Sequence, residues 1–230
     1  IANLAKQAKI LLHTDATQAF GKIPLSFPGL QVQAMTISAH KIGGPKGIGA
    51  LIIDKKLDLS PILLGGGQEH NFRSGTENVP GIVGFGVAAE QVVTCLEHST
   101  SHTRGLVRQL EEGLVAMGAV IFGAMVPRLP NTSYFAFPGA SGEAVALALD
   151  QKGFAVGAGA ACSSHQAGVS RVLLSMGIPE ELAQSALRVS FRSSNTSSEV
   201  AAFLTALHKT LEEMRSLAAM QPHATQHVRI

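Results

Sequence analysis

Lys41 closes the tetrapeptide Ser38-Ala39-His40-Lys41, which follows the apolar run Ala34-Met35-Thr36-Ile37 and precedes Gly43-Gly44-Pro45-Lys46-Gly47. An apolar run that stops at a polar, glycine-rich loop predicts a buried strand delivering a side chain to the open edge of a parallel sheet. A second run, Lys9-Ile10-Leu11-Leu12, stops in the same way at His13-Thr14-Asp15-Ala16-Thr17-Gln18. A lysine and a carboxylate at neighbouring strand ends are what pyridoxal phosphate chemistry requires: the amine holds the cofactor covalently and the acid pairs with its pyridinium nitrogen. Taken singly, each has a plainer reading, Lys41 as a solvated side chain and Asp15 as the cap of the next helix. Lys46 is the rival amine, but its place after Pro45 predicts an exposed loop position.

The elements that must position these groups read as α/β. The chain has 230 residues, 46% hydrophobic and 15% charged, with 24 glycines, which fits a close-packed enzyme and excludes disorder and coiled coil. A formal charge of +2 without a basic block argues against nucleic acid. No apolar stretch reaches the roughly 18 residues of a membrane span. Two cysteines, Cys95 and Cys162, make no disulfide framework and point to a reducing compartment, the cytoplasm or, in a eukaryote, the mitochondrion. The chain begins at Ile1, inside helix-like sequence, as a cut through a longer protein would. Strands are expected at 10–13, 34–38, 48–53, 132–137, 154–156 and 187–191. Helices are expected at 80–97, 103–117, 142–152 and 197–217, the last with Val200, Phe203, Leu204, Leu207, Leu211 and Met214 on one face. A domain boundary near 97–103 divides residues 1–97 from 98–230.

Six segments occur in one order: His13–Gln18, Ser38–Lys41 with Gly44–Gly47, Gly65-Gly66-Gly67-Gln68-Glu69, Arg73-Ser74-Gly75-Thr76-Glu77-Asn78, Gly159–Ser164 and Ala186–Ser190. Together they resemble the cysteine desulfurases of the NifS and IscS type, class V aminotransferases within fold type I of the pyridoxal phosphate enzymes. The resemblance implies part of a large, mainly parallel sheet domain in residues 1–97, and a small C-terminal α/β domain bearing the catalytic cysteine loop in 98–230. It also implies that the N-terminal part of the large domain has no counterpart here. It assigns Lys41 and Asp15 the roles above, Gln18 a hydrogen bond to the ring's phenolic oxygen, and Ser38 and His40 contacts to the cofactor phosphate. Thr76 would reach the phosphate of the other subunit's cofactor, which requires a homodimer. Arg188 would bind the substrate carboxylate as a two-pronged donor. Strand alternation puts 188, 190 and 192 on one face, so Arg192 is its competitor on spacing alone. Arg73 and Asn78 shape their loop, and His13 reads as structural.

Cys162 lies among small and polar residues with nothing to anchor it in a core, so an exposed thiol on a mobile loop is expected. Such a thiol suits attack on a sulfur atom and carriage of that sulfur as a persulfide. Cys95, between Val92, Val93 and Leu96, is expected only to pack, and His165 to be a solvated loop residue. Neither a dinucleotide fingerprint nor a metal-ligand spacing is present. The implied reaction converts L-cysteine to L-alanine, with the sulfur passing from Cys162 to an iron–sulfur scaffold or a sulfur-carrier protein. The alternatives are a selenocysteine lyase, a non-catalytic fragment acting through dimer or scaffold contacts, and a related aminotransferase-fold enzyme without sulfur chemistry, against which Cys162 in its motif argues.

Overall fold

A computed structural model describes residues 1–159 and 169–220 of the chain. These form two compact units, Ile1–Thr100 and Ser101–Ile230. In the first, helix α1 (Ala2–Gln7) leads to strand β1 (His13–Asp15), helix α2 (Phe27–Leu30), strand β2 (Ala34–Ser38), a 3-10 turn (Ala39–Ile42) and strand β3 (Gly49–Ile53). The sheet order is β1-β2-β3, with β1 parallel and β3 antiparallel to β2, so this sheet is mixed. Its core is Ala16, Val32 and Met35, with Leu12, Phe27, Ile37 and Ile52 against them. Asn78 accepts from the Gly81 N–H at 3.1 Å and so caps helix α3 (Val79–Thr94), which carries Pro80 in its first turn. One face of α3 is seated on the glycine loop after Lys41: a Cβ at Gly84 would lie 2.7 Å from Pro45.

The first strand differs from expectation. Pairing begins at His13, opposite Ala34, and Asp15 is the last strand residue, opposite Thr36. Ile10 and Leu11 are 62% and 69% exposed. They connect α1 to β1, because Lys9, at φ +56°, turns the chain out of the helix before β2 offers a partner.

The second unit begins within helix α4 (Leu96–Ala116). It continues through β4 (Val120–Ile121), β5 (Thr132–Ala136), α5 (Gly142–Gln151), β6 (Gly157–Ala158), α6 (Arg171–Ser175), α7 (Glu180–Gln184), β7 (Ala186–Ser190) and α8 (Ser197–Met220). The sheet order is β4-β5-β7-β6 and every pairing is antiparallel. Period-2 alternation divides its residues between two faces. Phe135, Leu187 and Val189 join Leu110 and Leu114 of α4, Leu149 of α5, and Val200 and Leu207 of α8 in the larger core. Ala136 and Ala186 meet Phe122, Leu173 and Ala183 on the other face. The apolar stripe expected on α8 is the one buried: Val200 and Leu207 are 0% exposed.

Two local expectations fail here. Residues 97–103 are helical, since Thr103, Leu106, Val107 and Leu110 bury at helical spacing and carry α4 through the polar stretch. Phe154 is no strand residue; it stacks edge-on against Phe203 of α8 at 5.6 Å, and pairing with β7 starts only at Gly157.

Candidate active site

Because β1 and β2 are parallel, their C-terminal ends share one sheet edge, and this brings Asp15 and the Ser38–Lys41 segment to the same side. Beyond Ser38 the chain tightens at once. Ala39 is fully buried, its N–H donates to the Ile48 carbonyl at 3.1 Å, and its own carbonyl accepts from the Gly44 N–H at 2.9 Å. Gly43 closes the turn at φ +87°, a conformation that a side chain would strain. The turn leaves Lys41 exposed. Lys46 is exposed as well, so exposure does not separate the two amines.

Asp15 is exposed, and its Oδ1 accepts the Thr17 N–H at 2.8 Å. Asp15 thus fixes the turn after β1 rather than capping the next helix, since α2 is capped by Ser26, and this contact does not exclude the chemical role. The Thr17 hydroxyl, then its backbone N–H, hold the carboxyl below the usual aspartate range, so the group is ionised at neutral pH. Ser38 Oγ and His40 Nδ1 lie 2.8 Å apart. Whichever of them donates, the pair keeps one further O–H or N–H to offer outward. Gln18 lies on the turn after β1, and its Oε1 accepts from Lys22 Nζ at 2.6 Å. Sequence reading passes over Lys22; its i, i+4 spacing from Gln18 in a helical turn was the available signal.

An ionised carboxylate, a primary amine, and N–H and O–H donors on one edge form a donor set that suits a ring with a basic nitrogen, an aldehyde and a phosphate. Pyridoxal 5'-phosphate has those three groups, and the residues present fit it.

Thr76 is exposed on the loop between β3 and α3. Arg73 Nη1 reaches the Gly75 carbonyl at 3.4 Å and the Gly75 N–H reaches Gln68 Oε1 at 3.3 Å, so both shape that loop. Arg188 is exposed in the second unit, on β7 opposite Tyr134 of β5 and Gly157 of β6, with Ser190 on its face as alternation requires. Arg192 lies past the end of the strand. Cys162 and His165 lie outside the described residues. Cys95 corrects the sequence reading: it is exposed at the C-terminal cap of α3, because the helix ends beneath it and Val93 beside it also faces outward.

The sheet edge carries groups that suit pyridoxal phosphate, and comparison with known proteins gives the family. The chain belongs to the aminotransferase class-V family, whose model matches residues 1–203. It is 40% identical over 220 residues to a cysteine desulfurase of Cereibacter sphaeroides, covering 95% of this chain and 56% of that one. It is 37% identical over 223 residues to the cysteine desulfurase IscS of Methanosarcina thermophila, covering 96% and 55%. The NifS-like protein of Rickettsia africae superposes with a TM-score of 0.85 at 33% identity, over 92% of this chain and 56% of that one. The fold is that of the NifS-like proteins, and the family implies pyridoxal phosphate. The chain spans about half the length of the relatives it matches.

Proposed function

We propose that this chain carries the cofactor-lysine edge and the sulfur-accepting cysteine of a pyridoxal 5'-phosphate-dependent cysteine desulfurase. The reading is supported above all by Asp15 and Lys41 lying at one edge of a parallel strand pair. The bound cofactor supplies an electron sink for the substrate Cα. Asp15, ionised, holds a proton on the ring nitrogen, and Gln18, Ser38 and His40 donate to the ring oxygen and the phosphate. The Lys41 amine moves the Cα proton of L-cysteine as general base and then acid. Arg188 takes the substrate carboxylate. The thiolate of Cys162 attacks the substrate sulfur; the carbon–sulfur bond breaks, a sulfur–sulfur bond forms, and protonation at Cβ releases L-alanine. The persulfide is then passed to an iron–sulfur scaffold or a sulfur carrier. Thr76 is assigned to the cofactor phosphate of a second subunit, which makes the working enzyme a homodimer. Residues 1–97 are the cofactor-binding portion of this scheme and 98–230 the part with the cysteine.

Alanine released from L-cysteine by the cofactor-loaded protein tests this reading. Turnover that collapses in Cys162→Ala supports the sulfur-transfer role; undiminished turnover in that variant contradicts it. The same assay with L-selenocysteine separates a desulfurase from a selenocysteine lyase.

A further inference from the structure

Lys22 has no place in the chemistry above, yet its ammonium lies 2.6 Å from Gln18 Oε1. The chain between them is a tight turn fixed at several points. The Ala16 N–H donates to the Thr36 carbonyl of β2 at 2.9 Å, and the Phe20 and Ile23 N–H groups donate to Ala16 and Ala19 at 2.8 and 3.1 Å. Gly21 sits at φ +73°, and a Cβ there would fall 2.9 Å from Cγ2 of Ile42, the residue after Lys41. Only glycine lets this turn close on the turn that bears the lysine. The Lys22 carbonyl in turn accepts from Thr100 Oγ1 at 2.9 Å. The backbone of Lys22 is therefore held while its side chain reaches back one helical turn.

An ammonium can only donate, so the atom it binds must be the amide oxygen of Gln18. That contact fixes the orientation of an amide that could otherwise flip, and it leaves the NH2 as the end Gln18 can offer. A positive charge on the oxygen also polarises the amide and strengthens its N–H donors. We infer that Lys22 is a positioning residue that presents Gln18 solely as a donor to an anionic ligand oxygen. On the cofactor reading above, on which this inference rests, that atom is the ring oxygen of pyridoxal 5'-phosphate. A strong donor there favours the ionised oxygen and keeps the pH midpoint of the cofactor's visible absorbance low. The other titratable groups at this edge, His13 and Asp15 on β1 and His40 and Lys41 beside β2, stay unchanged in every variant below.

The test is a pH titration of visible absorbance on protein loaded with pyridoxal 5'-phosphate, for the wild type, Lys22→Met, Lys22→Gln, Lys22→Arg, Gln18→Leu and the Lys22→Met/Gln18→Leu pair. Loss of the ammonium, by Met or Gln, raises the midpoint by about half a pH unit, the size expected for weakening one ordinary hydrogen bond. Arg restores the wild-type midpoint, and Lys22→Met adds nothing once Gln18 is Leu. A lysine that only braces the turn lowers the melting temperature and leaves the midpoint in place. An unmoved midpoint in both neutral variants, or an equal shift in the Gln18→Leu background, overturns the inference and leaves the cofactor reading standing. Absence of visible absorbance in the wild type itself overturns both.

Discussion

On the proposed function, Asp15 serves structure and chemistry together. Its Oδ1 fixes the Thr17 N–H at the start of the turn, and the Thr17 hydroxyl together with that contact holds the carboxyl below the usual range, as the proposed pyridinium partner would require. Asp15→Asn is expected to weaken pyridoxal 5'-phosphate binding by roughly 10- to 100-fold, the span of a hydrogen bond to a charged group. Equilibrium titration with the cofactor measures it. The pH dependence has a definite sign: with the carboxyl held below its ordinary range, the Asp15 contribution persists through mild acid and is lost only as pH falls through that lowered value. A contribution already fading between pH 6 and 5, roughly a unit or more above the free-aspartate value, would count against this assignment. The placement of Asp15 and Lys41 at strand ends was legible in sequence because a polar, glycine-rich or helix-starting stretch follows each apolar run, whereas the roles given to Gln18, Ser38 and His40 rest on the family resemblance. Lys22 was not legible, because its role depends on a side-chain contact within a turn that no hydrophobic pattern predicts. Cys95 misled for a related reason: apolar neighbours in sequence do not imply burial at a helix end.

At the scale of elements, close backbone approach decides what each glycine tolerates. Gly142 opens α5 beside the end of β7, and a Cβ there would meet the Ala186 carbonyl at 2.9 Å and the Gln184 carbonyl at 3.0 Å. Backbone cannot yield as a flexible side chain can, so Gly142→Ala is expected to destabilise the second unit by about 1–3 kcal/mol. Gly86 is interior to α3 with open space around it, and Gly86→Ala is expected to stabilise by about 0.5–1 kcal/mol. Thermal melts of the two variants must move in opposite directions. A second element-level link joins α4 to β5. Burial pushes the Glu111 carboxyl up, but the Arg128 guanidinium at 2.7 Å and the Ser133 hydroxyl outweigh it and hold the pKa down. Stability from this carboxylate is complete above its unfolded pKa of about 4.3 and is lost as pH falls through the lower folded value. Glu111→Gln should therefore flatten the acid limb of the stability curve, whereas parallel acid limbs would discount the link. Periodicity revealed α8 because it buries one clean face, and apolar or alternating runs revealed β2 and β5, whose side chains pack into the cores. It missed β4, two residues long, and misplaced β1 and β6, whose extents are set by what the neighbouring strand offers rather than by their own apolarity.

For the whole molecule, the two units differ in how much they bury. The second surrounds its sheet with fully buried leucines and phenylalanines, whereas the sheet core of the first is Ala16, Val32 and Met35, and Val83 and Val87 of α3 stand 60% and 62% exposed. The first unit should therefore unfold at lower denaturant. The chain has no tryptophan and a single tyrosine, Tyr134, which lies on β5 of the second unit. Far-UV circular dichroism should accordingly begin to fall in urea before tyrosine fluorescence changes, and coincident transitions would show one cooperative block instead. The central claim concerns the sheet edge of the first unit, and reductive trapping tests it most directly. Protein incubated with pyridoxal 5'-phosphate, reduced with borohydride and mapped by peptide mass spectrometry should carry the pyridoxyl group on Lys41, with labelling abolished in Lys41→Ala and retained in Lys46→Ala. Label on Lys46 in place of Lys41, or spread evenly over exposed lysines and unchanged in Lys41→Ala, would contradict the account.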